Sequence, residues 1–188
     1  MKNFLGLIMI FIIISCQSQS NILKDVENLQ KLHNEQNQNS GKSKIYLGKS
    51  FKPIKIILNN LKSELESDNI ILIFSWANTM PIANTNTFYA LIYDVDKGKS
   101  YYAYNKRGNY KNIIVENKSN RYFIDQEYLL NEYLKNSTLN HLQNFESQSN
   151  SAEMGTDYYL FDTKNRQVYR LEDIVFEEGK PARYDSNL

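Results

Sequence analysis

The chain has 188 residues and a formal net charge of +1, which suits one domain with a tether and predicts neither a nucleic-acid partner nor a polybasic membrane patch. Without Lys2, the basic and acidic side chains are equal in number. The sequence contains one cysteine, Cys16, so no disulfide within the chain stabilises the fold. The domain must therefore depend on its hydrophobic core.

An apolar run over residues 4–14 follows Lys2 and ends beside Ser15 and Cys16. A basic residue, an apolar stretch and a small residue in this order are typical of a secretory signal peptide. The run is too short to cross a bilayer, which takes roughly 20 apolar residues. The sequence therefore predicts export from the cytoplasm.

The end of this segment, Ile13-Ile14-Ser15-Cys16, reads aliphatic, variable, small and cysteine, and it resembles the lipobox of bacterial lipoproteins. In that family the signal peptide is cut before the cysteine, the thiol is acylated, and the protein stays attached to a membrane face. The resemblance implies that residues 1–15 are a signal peptide and that Cys16 carries a lipid such as palmitate. An ordinary cleaved signal peptide and an uncleaved membrane anchor are the alternatives.

The residue after the cysteine bears on the destination within the cell envelope. Gln17 is not the Asp that favours inner-membrane retention in some Gram-negative lipoproteins. The resemblance therefore implies attachment to the outer membrane of a Gram-negative bacterium, with the domain in the periplasm. It covers only the first sixteen residues and leaves the rest of the chain unassigned.

Residues 16–44 are predicted to be the lipidated cysteine and a flexible tether. Ile22, Val26 and Leu29 recur at helical spacing, which indicates a short, weak helix over about residues 22–33. Residues 34–44 contain no apolar side chain to bury, so we expect them to stay solvated and mobile.

Residues 45–188 are predicted to form one domain. A helix over residues 51–67 follows from apolar side chains at steps of three and four. Ile70 to Phe74 is apolar on both faces and too short for a separate helix, which predicts a buried central strand, and Phe88 to Val95 predicts another.

The remainder of the domain is predicted to contain hairpins and a second helix. Gly98 supplies the left-handed residue of the first hairpin turn. Asp125 is predicted to cap a helix that reaches about residue 146 and that residues 136–138 can kink or split. The tail from about residue 177 is predicted to be irregular. Further strands are predicted at residues 101–105, 111–116, 121–124, 158–161 and 167–171. 

Hairpin connections dominate this order of elements, which predicts an α+β fold. We expect a mainly antiparallel sheet of about six strands with two helices packed on one face.

Motifs for catalysis or cofactor binding are absent from the sequence. The two histidines, His33 and His141, accompany no nucleophile elbow, zinc-protease motif or phosphate-binding glycine loop. Residues 94–100 resemble a calcium loop, but their glycine is fifth rather than sixth and Asn105 stands where the bidentate Glu is required. We predict a hairpin there, and neither a metal nor a cofactor.

The long polar segment after the first strand is the candidate binding site. Trp76 begins it, and Asn78, Thr79 and Asn84 follow within a stretch interrupted by Pro81. Aromatic area beside adaptable hydrogen-bonding groups suits recognition of a protein edge or a sugar ring, which makes these four residues the predicted ligand-binding set. The alternative is that Trp76 only covers the end of the core.

These observations predict a membrane-tethered, non-catalytic binding module that contacts an unknown protein or glycan. Small lipoproteins of this kind resemble envelope interaction proteins, including immunity proteins that block a toxin from a neighbouring cell. One alternative is an envelope hydrolase acting on cell-wall glycan or polysaccharide through a cleft formed by Asp94, Asp162, Glu172 and Asp173. The other is a purely structural envelope lipoprotein.

Overall fold

The computed structural model describes residues 21–38, 44–76, 88–105, 112–145, 155–177 and 179–182. The helices of this part are α1 (residues 21–36), α2 (Gly48–Asn60), α3 (Ile124–Asn136) and a 3-10 helix (Asn140–Phe145). The strands are β1 (Ile70–Trp76), β2 (Phe88–Asp94), β3 (Lys99–Asn105), β4 (Ile113–Glu116), β5 (Thr156–Asp162), β6 (Gln167–Ile174), β7 (Phe176–Glu177) and β8 (Lys180–Pro181). No helix within these ranges is long and apolar enough to cross a membrane.

Six strands form one antiparallel sheet in the order β4-β3-β2-β1-β5-β6. β1 lies inside the sheet, and all seven of its residues are buried. An apolar run on both faces requires cover from both sides, which explains why this strand is central. The predicted α+β class and the six-stranded antiparallel sheet are confirmed.

The two faces of the sheet carry separate hydrophobic clusters. Leu72 and Phe74 of β1 pack with α1 and α2 on one face. Ile71 and Ile73 pack with α3 and the 3-10 helix on the other. We call these the α2 face and the α3 face.

The position of the helices differs from the expectation that two helices share one face. α2 contributes Ile54 and Leu58 to the α2 face, whereas α3 contributes Leu129 and Tyr133 to the α3 face. The reason lies in β1, whose side chains are apolar on both sides. Helices on a single face would have left Ile73 and its neighbours in water.

The predicted weak helix within the tether is part of the folded unit. Ile22, Val26 and Leu29 of α1 are all at most 3% exposed and pack on the α2 face. The side chain of Asn34 accepts a hydrogen bond from the Ile45 amide at 2.7 Å and donates one to the Ile45 carbonyl at 2.7 Å. Residues 21–36 therefore dock on the sheet instead of forming a free tether, because three apolar side chains on one helix face repay the cost of ordering it.

Several element boundaries also differ from the predicted ones. α2 ends at Asn60 and continues as a turn, and no strand forms over residues 121–124, which lead into α3. Asp125 does not cap α3, because the helix begins one residue earlier. The helix that was predicted to reach about residue 146 ends at Asn136, and a separate 3-10 helix follows over Asn140–Phe145. The split considered at residues 136–138 is present, because the C-cap residue Ser137 has a φ of 55°. 

Candidate functional site

Trp76, the predicted ligand-binding aromatic residue, lies in the core at the end of β1. It is 8% exposed, and its Nε1 donates a hydrogen bond to Oγ of Ser50 at 2.7 Å. Its ring packs 5.0 Å from that of Phe88, and Nζ of Lys49 lies 4.4 Å from the ring centroid. This position fits the alternative in which Trp76 covers the end of the core. Cys16, Asn78, Thr79 and Asn84 lie outside the described residues.

Two of the four acidic residues considered for a hydrolase lie on opposite faces of the sheet. Asp94 pairs with Ile70 on the α2 face and accepts hydrogen bonds from the backbone amides of Asp96 and Lys97, at 3.1 and 3.0 Å. Asp162 pairs with Ile71 on the α3 face and accepts from Oη of Tyr133 at 2.7 Å. Each carboxylate therefore stabilises the chain next to a strand end.

The other two acidic residues lie near the opposite end of β6. Asp173 accepts a hydrogen bond from the Gly155 amide, and Glu172 forms an ion pair with Arg170 at 3.0 Å. The four carboxylates do not converge into one cleft. Among the described residues, no group of three or more histidine, cysteine or acidic side chains is placed to hold a metal ion.

A row of aromatic rings crosses the α3 face near the end of the sheet that carries Trp76. The Tyr89 ring stacks on Tyr104 with centroids 6.5 Å apart, and on Tyr122 with centroids 5.9 Å apart. The guanidinium carbon of Arg121 lies 5.1 Å from the Tyr122 centroid, and Nη2 of Arg121 donates to the Tyr122 hydroxyl at 3.1 Å. We call Tyr89, Tyr104, Tyr122 and Arg121 the tyrosine stack.

The fold positions this stack through one hairpin and one turn. Tyr89 and Tyr104 are direct partners across β2 and β3, so their rings share a face. Phe123, which is completely buried, packs edge-on against Tyr89 with centroids 5.7 Å apart. The side chain of Asn120 accepts from the Tyr122 amide at 2.9 Å and fixes the turn. Tyr122 is therefore held next to a buried anchor although 53% of it is exposed.

The hydroxyl groups of Tyr89 and Tyr104 remain neutral at physiological pH, because both pKa values are raised. Burial, followed by the neighbouring hydroxyls of Tyr122 and Tyr104, raises the pKa of Tyr89. Burial, followed by the charge of Glu116, raises the pKa of Tyr104. The hydrogen bond to Tyr122 raises the pKa of Arg121, which stays a cation. Tyr89 and Tyr104 are therefore neutral phenols, and Arg121 supplies one positive charge beside them.

A groove of 430 Å³ lies between α1 and the start of β6. Its lining mixes Leu32 and Tyr169 with His33 and Arg166. Leu32 is 37% exposed there. This groove lies on a different part of the molecule from the tyrosine stack, and its lining has no comparable series of stacked side chains.

Comparison of the chain with protein-family models, with curated proteins and with solved structures found no match. The function has to be inferred from the residues and their geometry.

The sequence contained part of the signal for the tyrosine stack. A hairpin turn at residues 95–98 pairs Tyr89 with Tyr104, so their contact follows once the turn is located. The position of Tyr122 follows from no local pattern, because 33 residues separate it from Tyr89. The lone tryptophan beside a polar segment indicated Trp76 as the aromatic contact residue, and no motif indicated the stack.

Proposed function

We propose that this protein is a membrane-tethered binding module of the cell envelope, with a lipid on Cys16 and the tyrosine stack as its contact surface for a partner protein. The observation that carries the proposal is the exposed Tyr122 ring, which stacks on Tyr89 while Arg121 lies against it. The lipobox-like segment Ile13-Ile14-Ser15-Cys16 supports the membrane attachment.

The composition of the stack suits a protein interface. Tyrosine and arginine are the residues most enriched, with tryptophan, among those that contribute most to protein binding. Tyrosine offers a large apolar area and a hydroxyl group while losing little conformational entropy. Packing against Tyr89 already restrains Tyr122 in the free protein, so a partner has less ordering cost to overcome.

A protein partner fits the geometry better than a glycan does. Sugar rings bind to aromatic side chains through an open ring face. Tyr89 and Arg121 already contact the Tyr122 ring, at centroid distances of 5.9 and 5.1 Å, so less of its face is open for a sugar ring to stack on. Inhibition of a toxin delivered by a neighbouring cell is one form that such a protein interaction can take.

Affinity capture with the detergent-solubilised full chain tests this proposal. The variant is Tyr122→Ala, and the matched control is Tyr46→Ala, whose ring is 72% exposed outside the stack. We expect the wild type and Tyr46→Ala to capture the same protein from the envelope of the producing organism or its neighbours. Tyr122→Ala should bind that protein at least about 30-fold more weakly, as for a residue central to an interface. 

Two results would contradict the proposed binding surface. One is equal affinity of both variants for the captured protein, measured by calorimetry. The other is the capture of no partner by the wild type. Membrane attachment is checked separately, because Cys16→Ala should abolish acylation and move the chain to the soluble fraction. An unchanged melting temperature of Tyr122→Ala is expected from its exposure and excludes unfolding as the cause.

A further inference from the structure

The sheet has two chemically different ends. At one end lie three turns, residues 65–69, 95–98 and 163–166, which we call the turn end. Oγ1 of Thr163 donates to the carbonyl of Asp68 at 2.6 Å, and Nδ2 of Asn69 donates to Asp96 at 3.0 Å, so the three turns are linked. Trp76 and the tyrosine stack lie at the opposite end, which we call the stack end.

The first residue of the described chain is attached to the turn end. The side chain of Asn21 forms a hydrogen bond with that of Asp68, and burial, followed by the nearby negative charge of Asp25, raises the pKa of Asp68. Ile22 and Val26, which are 2% and 0% exposed, hold this part of α1 on the core. The point at which the folded domain begins is therefore fixed beside the turns.

The chain between the proposed lipid and this point is short. Five residue steps separate Cys16 from Asn21, which span at most about 18 Å when fully extended. A free tether to residue 44 would instead have spanned about 100 Å at full extension. The docking of α1 removes most of that reach, and the membrane and the turn end must stay close together.

From this geometry we propose that the domain faces the membrane with its turn end and directs the tyrosine stack away from it. The inference rests on the proposed lipid at Cys16. β1, with seven residues, is about 20 Å long, which is the distance between the two ends of the sheet. The connecting residues reach no further than this distance, so the stack end comes near the lipid only if they are fully extended and the domain is inverted. A partner thus meets the stack on the side remote from the membrane.

The chemistry of the turn end agrees with a surface that contacts headgroups without entering the hydrocarbon. Its exposed side chains include Glu66, Lys97, Lys164 and Arg166, which carry both signs of charge. Of the large hydrophobic residues exposed in the described part of the chain, none lies in these three turns. The lipid, rather than the turns, supplies the attraction to the membrane.

Energy transfer to the bilayer measures this orientation. Cys16 is the one cysteine of the sequence, and its thiol is blocked once acylated, so a cysteine introduced elsewhere is labelled selectively. Lys164→Cys places a fluorophore at the turn end, and Asn112→Cys places one beside β4 at the stack end; both positions are exposed. The full-length lipoproteins are reconstituted into phosphatidylethanolamine–phosphatidylglycerol vesicles that contain a headgroup-labelled acceptor lipid.

We expect transfer efficiency at position 164 to exceed that at position 112 by about twofold or more, because the two sites differ in height by about 20 Å. Equal transfer, or stronger transfer from position 112, overturns the proposed orientation. A matched control inserts about 20 glycine and serine residues between Ser20 and Asn21, which adds a mean reach of about 25 Å. The insertion should remove the difference, and a difference that persists also overturns the inference.

Mass spectrometry of the N-terminal peptide separates the two proposals. An unacylated Cys16 contradicts both the proposed anchor and the orientation that depends on it. Acylation together with equal transfer contradicts the orientation alone. The effect of Tyr122→Ala on partner binding is independent of both results.

Discussion

Nε1 of Trp76 donates a hydrogen bond to Oγ of Ser50 at 2.7 Å, which connects the end of β1 to the first turn of α2. Both residues are buried, at 8% and 4% exposure. The contact spans 26 residues of sequence and satisfies the polar atom of the largest side chain at this end of the sheet. It gives Trp76 a defined role in joining helix and sheet.

Loss of this hydrogen bond should lower stability by a modest amount. Ser50→Ala removes the acceptor of the indole N–H and is expected to reduce the free energy of unfolding by about 1 kcal/mol. Urea unfolding followed by tryptophan fluorescence measures the change. Ser63→Ala, at an exposed position after α2, is the control and should leave the midpoint unchanged. An effect of Ser50→Ala no larger than that of the control would show that the contact contributes nothing.

Docking of α1 makes a second prediction about stability. Leu29 is 3% exposed in the cluster on the α2 face, so Leu29→Ala should reduce the free energy of unfolding by about 2–5 kcal/mol. Lys31→Ala, on the exposed side of the same helix, should change it by less than about 0.5 kcal/mol. Equilibrium urea unfolding of the full chains in mild detergent checks both values. Equal stability of the two variants would mean that α1 does not belong to the cooperative unit.

The raised pKa of the Asp125 carboxyl group predicts that the stability of the fold depends on pH. Burial raises its pKa above the ordinary value of 3.8, and the hydrogen bond from the Tyr158 hydroxyl, at 2.8 Å, opposes this only in part. The folded protein therefore binds the proton more tightly than the unfolded chain. The tighter proton binding by Asp125 stabilises the folded state fully below pH 3.8. This stabilisation is lost as the pH rises through the raised pKa of the folded state.

Asp125→Asn isolates this contribution, because the amide oxygen still accepts from Tyr158 and does not titrate. The wild type should lose stability relative to Asp125→Asn as the pH rises from 3.8 through the folded pKa. Urea midpoints of both proteins across this pH range provide the measurement. A wild type that gains stability relative to the variant over the same range would reverse the sign and refute the assignment.

The elements that could be predicted from the sequence are those with a strong local pattern. The side chains of Ile70 to Phe74 are apolar on both faces, which predicted the central strand. The turn that contains Gly98, whose φ is 62°, predicted the pairing of the next two strands. The helix break at Ser137 followed from polar residues that disfavour helix continuation. The strand predicted over residues 121–124 was wrong, because this segment forms a turn, held by the hydrogen bond from the Tyr122 amide to the Asn120 side chain, and leads into α3.

Less of the candidate site than of the fold could be predicted from the sequence. Trp76 was identified because a lone tryptophan borders a polar segment, but its environment is set by Ser50, a residue from another element. Tyr89 and Tyr104 belong to a predictable hairpin, whereas Tyr122 reaches them through a turn anchored by Phe123. Local sequence patterns do not indicate contacts between residues of different elements, because those contacts form only when the chain folds.

The sequence by itself determined the α+β class and the central strand, since both follow from residue types within short windows. Only the tertiary structure decided that α1 docks on the sheet, that helices cover both faces, and that Arg121 and Tyr122 complete a stack with Tyr89. The physical reason is that burial depends on which surfaces meet. Ile22, Val26 and Leu29 predict a helix with one apolar face, but the sheet that this face covers is contributed by residues distant in the sequence.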